Sequence, residues 1–339
     1  MATSSENGST RILAIETSCD ETAAAVVENG CKILSNIIAS QVDIHAEFGG
    51  VFPEVASRKH IEVISPVVNQ ALEEAHMGLD DIDCIAVTRG PGLVGSLLVG
   101  MNMAKGLAMA RNKPFLGINH IEGHIYSPWL MPYVDEIQFP LLTLVVSGGH
   151  TELYLMIDHG RYKHLGGTLD DAAGEAYDKV GRLLGLPYPG GPAIDKAASD
   201  GNQTAFKFPR GVMDDGFNFS FSGLKTAVLR ETKQFDANRL PVNDIAASFQ
   251  TAVVDVLVAK TERAATAYGV TAVHIVGGVS ANRELRQTMA AQLDLPVRYP
   301  DPVLCTDNAA MIGAAAHWHF SKGRRDQLDL DVLPSLQLL

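Results

Sequence analysis

HIEGH, residues 120–124, sets two imidazoles four positions apart with a carboxylate between them. On a helix His120 and His124 stand roughly 40° apart around the axis, close enough to ligate one ion. A zinc protease of the H-E-x-x-H type needs its glutamate directly after the first histidine. Ile121 holds that position, and Glu122 lies roughly 200° round from His120, so the general base of a protease is missing. Spacing alone leaves two readings open: a metal pair, or ordinary capping or core histidines. A third ligand has to come from elsewhere in the chain, and Asp307 in CTDNAAM, at the start of a helix, is a suitable carboxylate.

Three glycine-rich stretches invite a phosphate or nucleotide reading. RGPGLVGS (89–96) carries G-x-G-x-x-G as Gly90, Gly92 and Gly95, after a strand and before a helix. A dinucleotide site wants an acidic residue about 20 positions on, and ARNKPFLGI supplies none. A P-loop wants Lys where Ser96 stands. A tight turn with close backbone packing is the first reading, and anion contact through the N–H groups at the helix start is the second. SGGH (147–150) joins two strands. It is either a plain hairpin turn or a place where a ligand reaches exposed amides. In GGVSAN (277–282), Ser280 or Asn282 could cap the following helix, or Asn282 could bond a ribose hydroxyl or an adenine edge.

These motifs need elements to hold them. Residues 11–27 read as strand, polar turn, strand, and residues 141–157 repeat the pattern, which suggests duplicated lobes. Between them, helical spacing covers 60–77 and 96–110, and a strand covers 83–90. Three prolines within 128–140 mark the inter-lobe connection. Further on, 170–186 reads as helix, 188–192 as a turn, 270–293 as strand, glycine turn and helix, and 306–320 as a final helix. Strands alternating with helices give an α/β fold.

At 339 residues, two lobes are the natural division. A hydrophobic share of 46% against 19% charged residues fits a well-packed globule rather than a disordered chain. The net charge of −12 argues against nucleic-acid binding through the overall field, so any such contact needs a local basic patch or a basic partner. Cys19, Cys31, Cys84 and Cys305 form no C-x-x-C pair, and a reducing cytoplasmic setting is expected. Residues 1–10 read as a loose disordered tail without a secretory core, and the lack of an apolar run of about 18 residues predicts no membrane span.

Taken in order, IETSCDET, GPGLVGSLLVG, HIEGH, VVSGGHTEL, DDAAGEAYDK, YPGGP, FSFSGLKT, GGVSANRELR and CTDNAAMI resemble the TsaD family over nearly the whole chain, from about Arg11 to about Phe320. These are the tRNA N6-adenosine threonylcarbamoyltransferases. The resemblance implies a two-lobed actin-like ATPase fold (ASKHA, duplicated RNase H-like) with a central nucleotide cleft. It implies a first lobe of 11–135 with 308–339 returning to it, and a second lobe of 136–307. The implied reaction moves the threonylcarbamoyl group from threonylcarbamoyl-AMP to N6 of adenosine 37, just 3′ of the anticodon, in tRNAs reading ANN codons, releasing AMP. The matching metal ligands are His120, His124 and Asp307, for iron(II) with zinc as the alternative. The matching substrate positions are Val145, Val146, Ser147, Gly148, Gly149, Asp178, Gly191, Asp195 and Asn282. Val145 departs mildly from a more usual leucine. Asp20 and Glu21 match acidic positions near the reaction centre, and a TsaB-like paralogous subunit and a TsaE-like ATPase are the implied partners.

Several of these residues also have ordinary readings. Asp178 could be a solvated helix residue paired with Lys179 or Arg182, and Asp195 could support the first turn of its own helix. Arg58, Lys59, Arg324 and Arg325 are candidate local tRNA contacts or plain surface charges. Two rival functions share the fold: a sugar or small-molecule kinase, and a non-catalytic scaffold like the shorter paralogue, which lacks the histidine pair. The histidine pair speaks against both, because a kinase clamps magnesium mainly through oxygen.

Overall fold

The computed structural model describes residues 9–211, 216–236 and 239–338, so most of the expected tail, residues 1–8, lies outside them. The chain divides into two compact units. Of the described residues, one takes those up to 41, 53–134 and 307–337, and the other takes those within 42–52 and 135–306, with Leu338.

In the first unit, β1 (Arg11–Glu16), β2 (Glu21–Glu28) and β3 (Lys32–Ser40) make an antiparallel meander. A single helical turn, α1 (Val42–Ala46), belongs to the second unit. Then follow α2 (Pro53–Glu74), β4 (Cys84–Gly90), α3 (Val94–Arg111), β5 (Phe115–Asn119) and α4 (His120–Tyr126). The sheet runs β3-β2-β1-β4-β5, with β4 parallel to β1 and β5 parallel to β4. Its central strands are apolar on both faces because helices cover both. Leu13 and Ile15 point to α2 and α3, meeting Ile64, Val67, Leu97 and Met101. Ala14 and Val27 face the other way, against Gly313 of a C-terminal helix whose small residues allow a close approach.

α2 begins seven residues before the expected 60, with Pro53 in the first helical position where its missing N–H costs nothing, and it ends at Glu74 rather than 77. It also runs through Pro66, which the burial of Ile64, Val67 and Val68 on its inner face outweighs.

The second unit contains β6 (Leu141–Val146), β7 (Thr151–Asp158), β8 (Arg161–Gly167), α5 (Ala173–Leu183), α6 (Gly190–Ala198), α7 (Ser222–Thr232), α8 (Val242–Tyr268), β9 (Ala272–Val276), α9 (Arg283–Gln292), β10 (Val297–Arg298) and α10 (Pro302–Cys305). Read from the meander edge, its sheet is β8-β7-β6-β9-β10. The pairings are antiparallel, antiparallel, parallel, parallel, the same as in the first unit. The two hairpins read from the sequence are therefore the first pairs of two topologically identical sheets. The last helix, α11 (Ala309–Ser321), returns to the first unit.

α8 went unread in the sequence. It is 27 residues long and apolar enough by composition to cross a membrane, but 67% of its apolar window is buried inside the protein, where it packs with α6 and α9 in the core of the second unit. The helix expected at 170–186 starts only at Ala173. Asp170 instead accepts bonds from the amides of Phe221 and Ser222 and from both neighbouring serines, and Asp171 binds Lys179 and Lys225. The turn expected at 188–192 is half helix, because α6 begins at Gly190.

Candidate functional site

In the first unit the site lies at the carboxyl ends of the three parallel strands. β1 ends in Glu16, Thr88 is near the end of β4, and β5 ends in Asn119. Asn119 caps α4, its side chain accepting from the amides of Ile121 at 2.8 Å and Glu122 at 3.4 Å. That cap fixes His120 as the first helical residue, just past the strand. One turn on, His124 faces the same way, and the two rings meet edge to face with centroids 4.8 Å apart. α11 is capped the same way by Asn308, whose side chain accepts from Met311 N at 3.0 Å, and Asp307 comes immediately before it.

Asp307 Oδ1 lies 3.1 Å from His124 Nε2 and 3.5 Å from His120 Nε2. The three candidate ligand atoms fall within 4.8 Å of one another, a grouping that can hold a metal ion. Two neutral-capable nitrogens and one carboxylate suit a first-row divalent ion and leave coordination positions for other oxygens. Glu122 turns away from this group and pairs with His319 on α11 at 2.8 Å, tying α4 to α11.

Electrostatics follow from burial and crowding. Burial opposes a proton on His120, but Asp307 and Glu16 outweigh it and hold the ring well above its ordinary value. Burial dominates at His124 and lowers it. Burial would raise Asp307, yet the two imidazoles beside it hold its carboxyl far below the carboxylate range. Asp20 ends the β1–β2 turn and Glu21 opens β2. Glu21 accepts from Ser40 Oγ at 3.0 Å, and burial, then the charges of Asp20 and Asp307, push it up to about 9. His60, fully buried on α2, braces this turn from behind, with Nε2 2.9 Å from Cys19 O and Nδ1 2.7 Å from Thr22 Oγ1. Nothing in the spacing of His60 announced that role.

The G-x-G-x-x-G turn is a packing device. The amides of Gly92 and Leu93 already donate to Pro334 O (3.1 Å) and Ser18 O (2.8 Å), and a Cβ on Gly92 would meet Ser18 O at 2.6 Å.

The second unit treats its strand ends differently. Val145 and Val146 are strand residues with fully buried side chains, so only their backbone could face a ligand. In the turn that follows, Ser147 N donates to His150 O and His150 N to Ser147 Oγ, while Gly148 and Gly149 are exposed with open space beside them. Asp178 does structural work at the start of the next helix. Its Oδ1 accepts from Gly190 N at 2.7 Å and anchors the start of α6, where Gly191 faces open space. Asp195 does not serve the first turn of its helix. It receives Arg283 Nε at 3.0 Å, Gln250 Nε2 at 3.2 Å and Asn282 Nδ2 at 3.3 Å. Asn282 caps α9 through Leu285 N at 2.9 Å and donates to Gln250 Oε1 at 2.8 Å. The sequence thus named Asp195 and Asn282 but missed Gln250 and Glu284, which complete their network.

The TsaD family model, described as tRNA N6-adenosine threonylcarbamoyltransferase, matches residues 32–314. The chain belongs to the TsaD family. A relative from Thermomicrobium roseum carrying the same enzyme name is 55% identical, covering 97% of this chain and 97% of its own. One from Clostridium botulinum is 56% identical, covering 97% and 98%. The solved structure of T. kodakarensis HypF superposes with a TM-score of 0.64 at 14% identity, over 92% of this chain and 48% of that one, which is a likeness of fold. With its twice-repeated sheet, this TsaD-family chain has the actin-like ATPase architecture of duplicated RNase H-like units.

Of the candidate tRNA contacts in this TsaD-family chain, Lys59 pairs with Glu62. Arg324 is held by Asp326 and Gly117 O, and Arg325 stacks on Phe320.

Proposed function

We propose that this chain transfers a threonylcarbamoyl group from threonylcarbamoyl-AMP to N6 of adenosine 37 in tRNAs reading ANN codons, releasing AMP. The activity rests on the near full-length match, at 55% identity, to relatives bearing that enzyme name. The geometry supports the way it is carried out. Acyl transfer to an amine needs a polarised carbonyl, a held leaving phosphate and removal of a proton. His120, His124 and Asp307 are the residues that would hold a divalent ion, iron(II) or zinc, which supplies Lewis-acid charge to a substrate oxygen.

In the turn after β6, exposed Gly148 and Gly149 offer backbone amides to the phosphate. Asp178, Gly191, Asp195 and Asn282 place the nucleoside. Asp20 orients a water or takes the amine proton, with Glu21 beside it. The net charge of −12 means that tRNA is recruited together with basic surface from elsewhere, and a TsaB-like subunit and a TsaE-like ATPase are the proposed partners, in the cytoplasm.

The test is reconstitution. The chain is mixed with those partners, threonylcarbamoyl-AMP and tRNA, and the RNA is digested and searched for the modified nucleoside t6A. Modified nucleoside in wild type but not in Asp307→Ala supports the reading. Labelled phosphate appearing on a sugar in a parallel ATP assay, with no modified nucleoside, replaces it with the kinase.

A further inference from the structure

Glu16 is fully buried at the end of β1, a carboxylate among apolar neighbours in RILAIE. A side chain of that kind is costly to bury unless every lone pair is used. Here they are used in a directed way. Ser18 N donates to Oε1, Thr88 Oγ1 donates to Oε2, and Oε2 lies 3.0 Å from His120 Nδ1.

We propose that Glu16 is a positioning residue for the metal centre: it fixes His120 with its proton on Nδ1, leaving Nε2 as the ligand atom. This inference rests on the metal reading above. A carboxylate only accepts, so the short contact requires a proton on the facing nitrogen. Ser18 Oγ, 3.2 Å from the same Nδ1, is then the second acceptor around that proton. With Nδ1 protonated, the free lone pair is on Nε2, the atom turned to Asp307. An imidazole backed by a carboxylate is also the more basic donor, and such outer partners typically govern about 10–100-fold in metal affinity.

The other histidine supplies the contrast. His124 Nδ1 is buried with no hydrogen-bond partner. It has no anchor behind the ring and meets only Asp307 through Nε2, whereas His120, in the first turn of the helix, is held from the sheet. Thr88 and Glu16 lie on neighbouring parallel strands in adjoining register, so the anchor is part of the sheet itself.

The test uses cobalt(II) alone as the probe, bound to the full-length chain against a competing chelator and read by its visible absorption. His124→Ala comes first, and undiminished cobalt affinity there removes the metal site itself. If that variant loses the metal, Glu16→Gln is expected to bind about 10–100-fold more weakly with an unchanged circular dichroism spectrum. Wild-type affinity in Glu16→Gln overturns the role of Glu16 and leaves the metal site standing. Should Glu16→Gln fail to fold, the zinc-loaded wild type labelled with nitrogen-15 in histidine decides. A slowly exchanging proton on His120 Nδ1, assigned by its absence from His120→Gln, supports the anchor, and zinc bound at Nδ1 overturns it.

Discussion

The two units carry one sheet twice and equip its ends in opposite ways. In the first, the strand ends hold buried ionisable side chains, with Glu16, His120 and, from the residue before the cap of α11, Asp307 packed against one another. In the second, the corresponding ends of β6 and β9 run into glycine turns that expose backbone, at Gly148 and Gly149, or force close backbone contact, at Gly277. The topology fixes where chemistry can be placed, since loops at the carboxyl ends of parallel strands are free of the core on one side. It does not fix the kind of chemistry. One end concentrates charge in side chains, and the other presents amides and a polar network on α6, α8 and α9.

If the comparison is right, the first unit should fail through chemistry and the second through backbone. The largest effect is expected from His124→Ala. Loss of one of the three proposed ligands should cost several kcal/mol of transition-state stabilisation, on the order of 1,000-fold in modified tRNA formed, with metal content falling in parallel. Full metal content with full activity would erase the distinction between the units. Gly277→Ala attacks the other side. With φ at +91° and a Cβ position 2.5 Å from Val146 O, it should destabilise the protein by about 3 kcal/mol in denaturant titration, without touching a ligand atom.

What could be read in advance follows the same division. The hairpins were legible because alternating apolar residues bounded by polar turns have one simple reading, and the His120–His124 pair because four-residue spacing on a helix is a face. Glu16 was not, since a single acid at the end of RILAIE looks like any strand terminus until Thr88 and His120 are seen beside it. α8 was missed because a helix buried around most of its surface loses the periodicity that marks a surface helix. Asp170 and Asp171 were read as helix because DDAAGEAYDK has helical composition. Their carboxylates instead serve the start of α7 and two lysines, contacts some fifty residues away in sequence or made across a turn.

A buried histidine in the second unit probes the comparison through pH. His274 in β9 is fully buried, and burial, then the charge of Arg298, hold it down at about 3, against an ordinary 6.5. A depressed folded value means the stabilisation is complete above about pH 6.5 and is lost as pH falls from there towards 3, because the unfolded chain takes the proton first. Each pH unit in that window should cost about 1.4 kcal/mol, or about 2 kcal/mol by pH 5. His274→Leu should flatten the acid limb of a stability profile measured between pH 7 and 5. An unchanged limb would mean that ionisable groups elsewhere, the first unit's cluster among them, govern acid sensitivity.

The smallest effects should come from the caps, and they separate the units most cleanly. Asn119 and Asn282 do the same local work, each accepting from backbone amides in the first turn of its helix, so Asn→Ala at either should cost about 1 kcal/mol in stability. Their consequences should diverge. Asn119→Ala loosens the first turn of α4, which carries His120, and should weaken metal binding a few-fold with little change in KM for the adenylate. Asn282→Ala also removes the side-chain amide that Asp195 and Gln250 share, and should raise that KM while cobalt affinity stays at its wild-type value. Equal shifts of both quantities in both variants would mean the two ends work as one indivisible site, rather than as a side-chain centre and a backbone centre built on copies of one sheet.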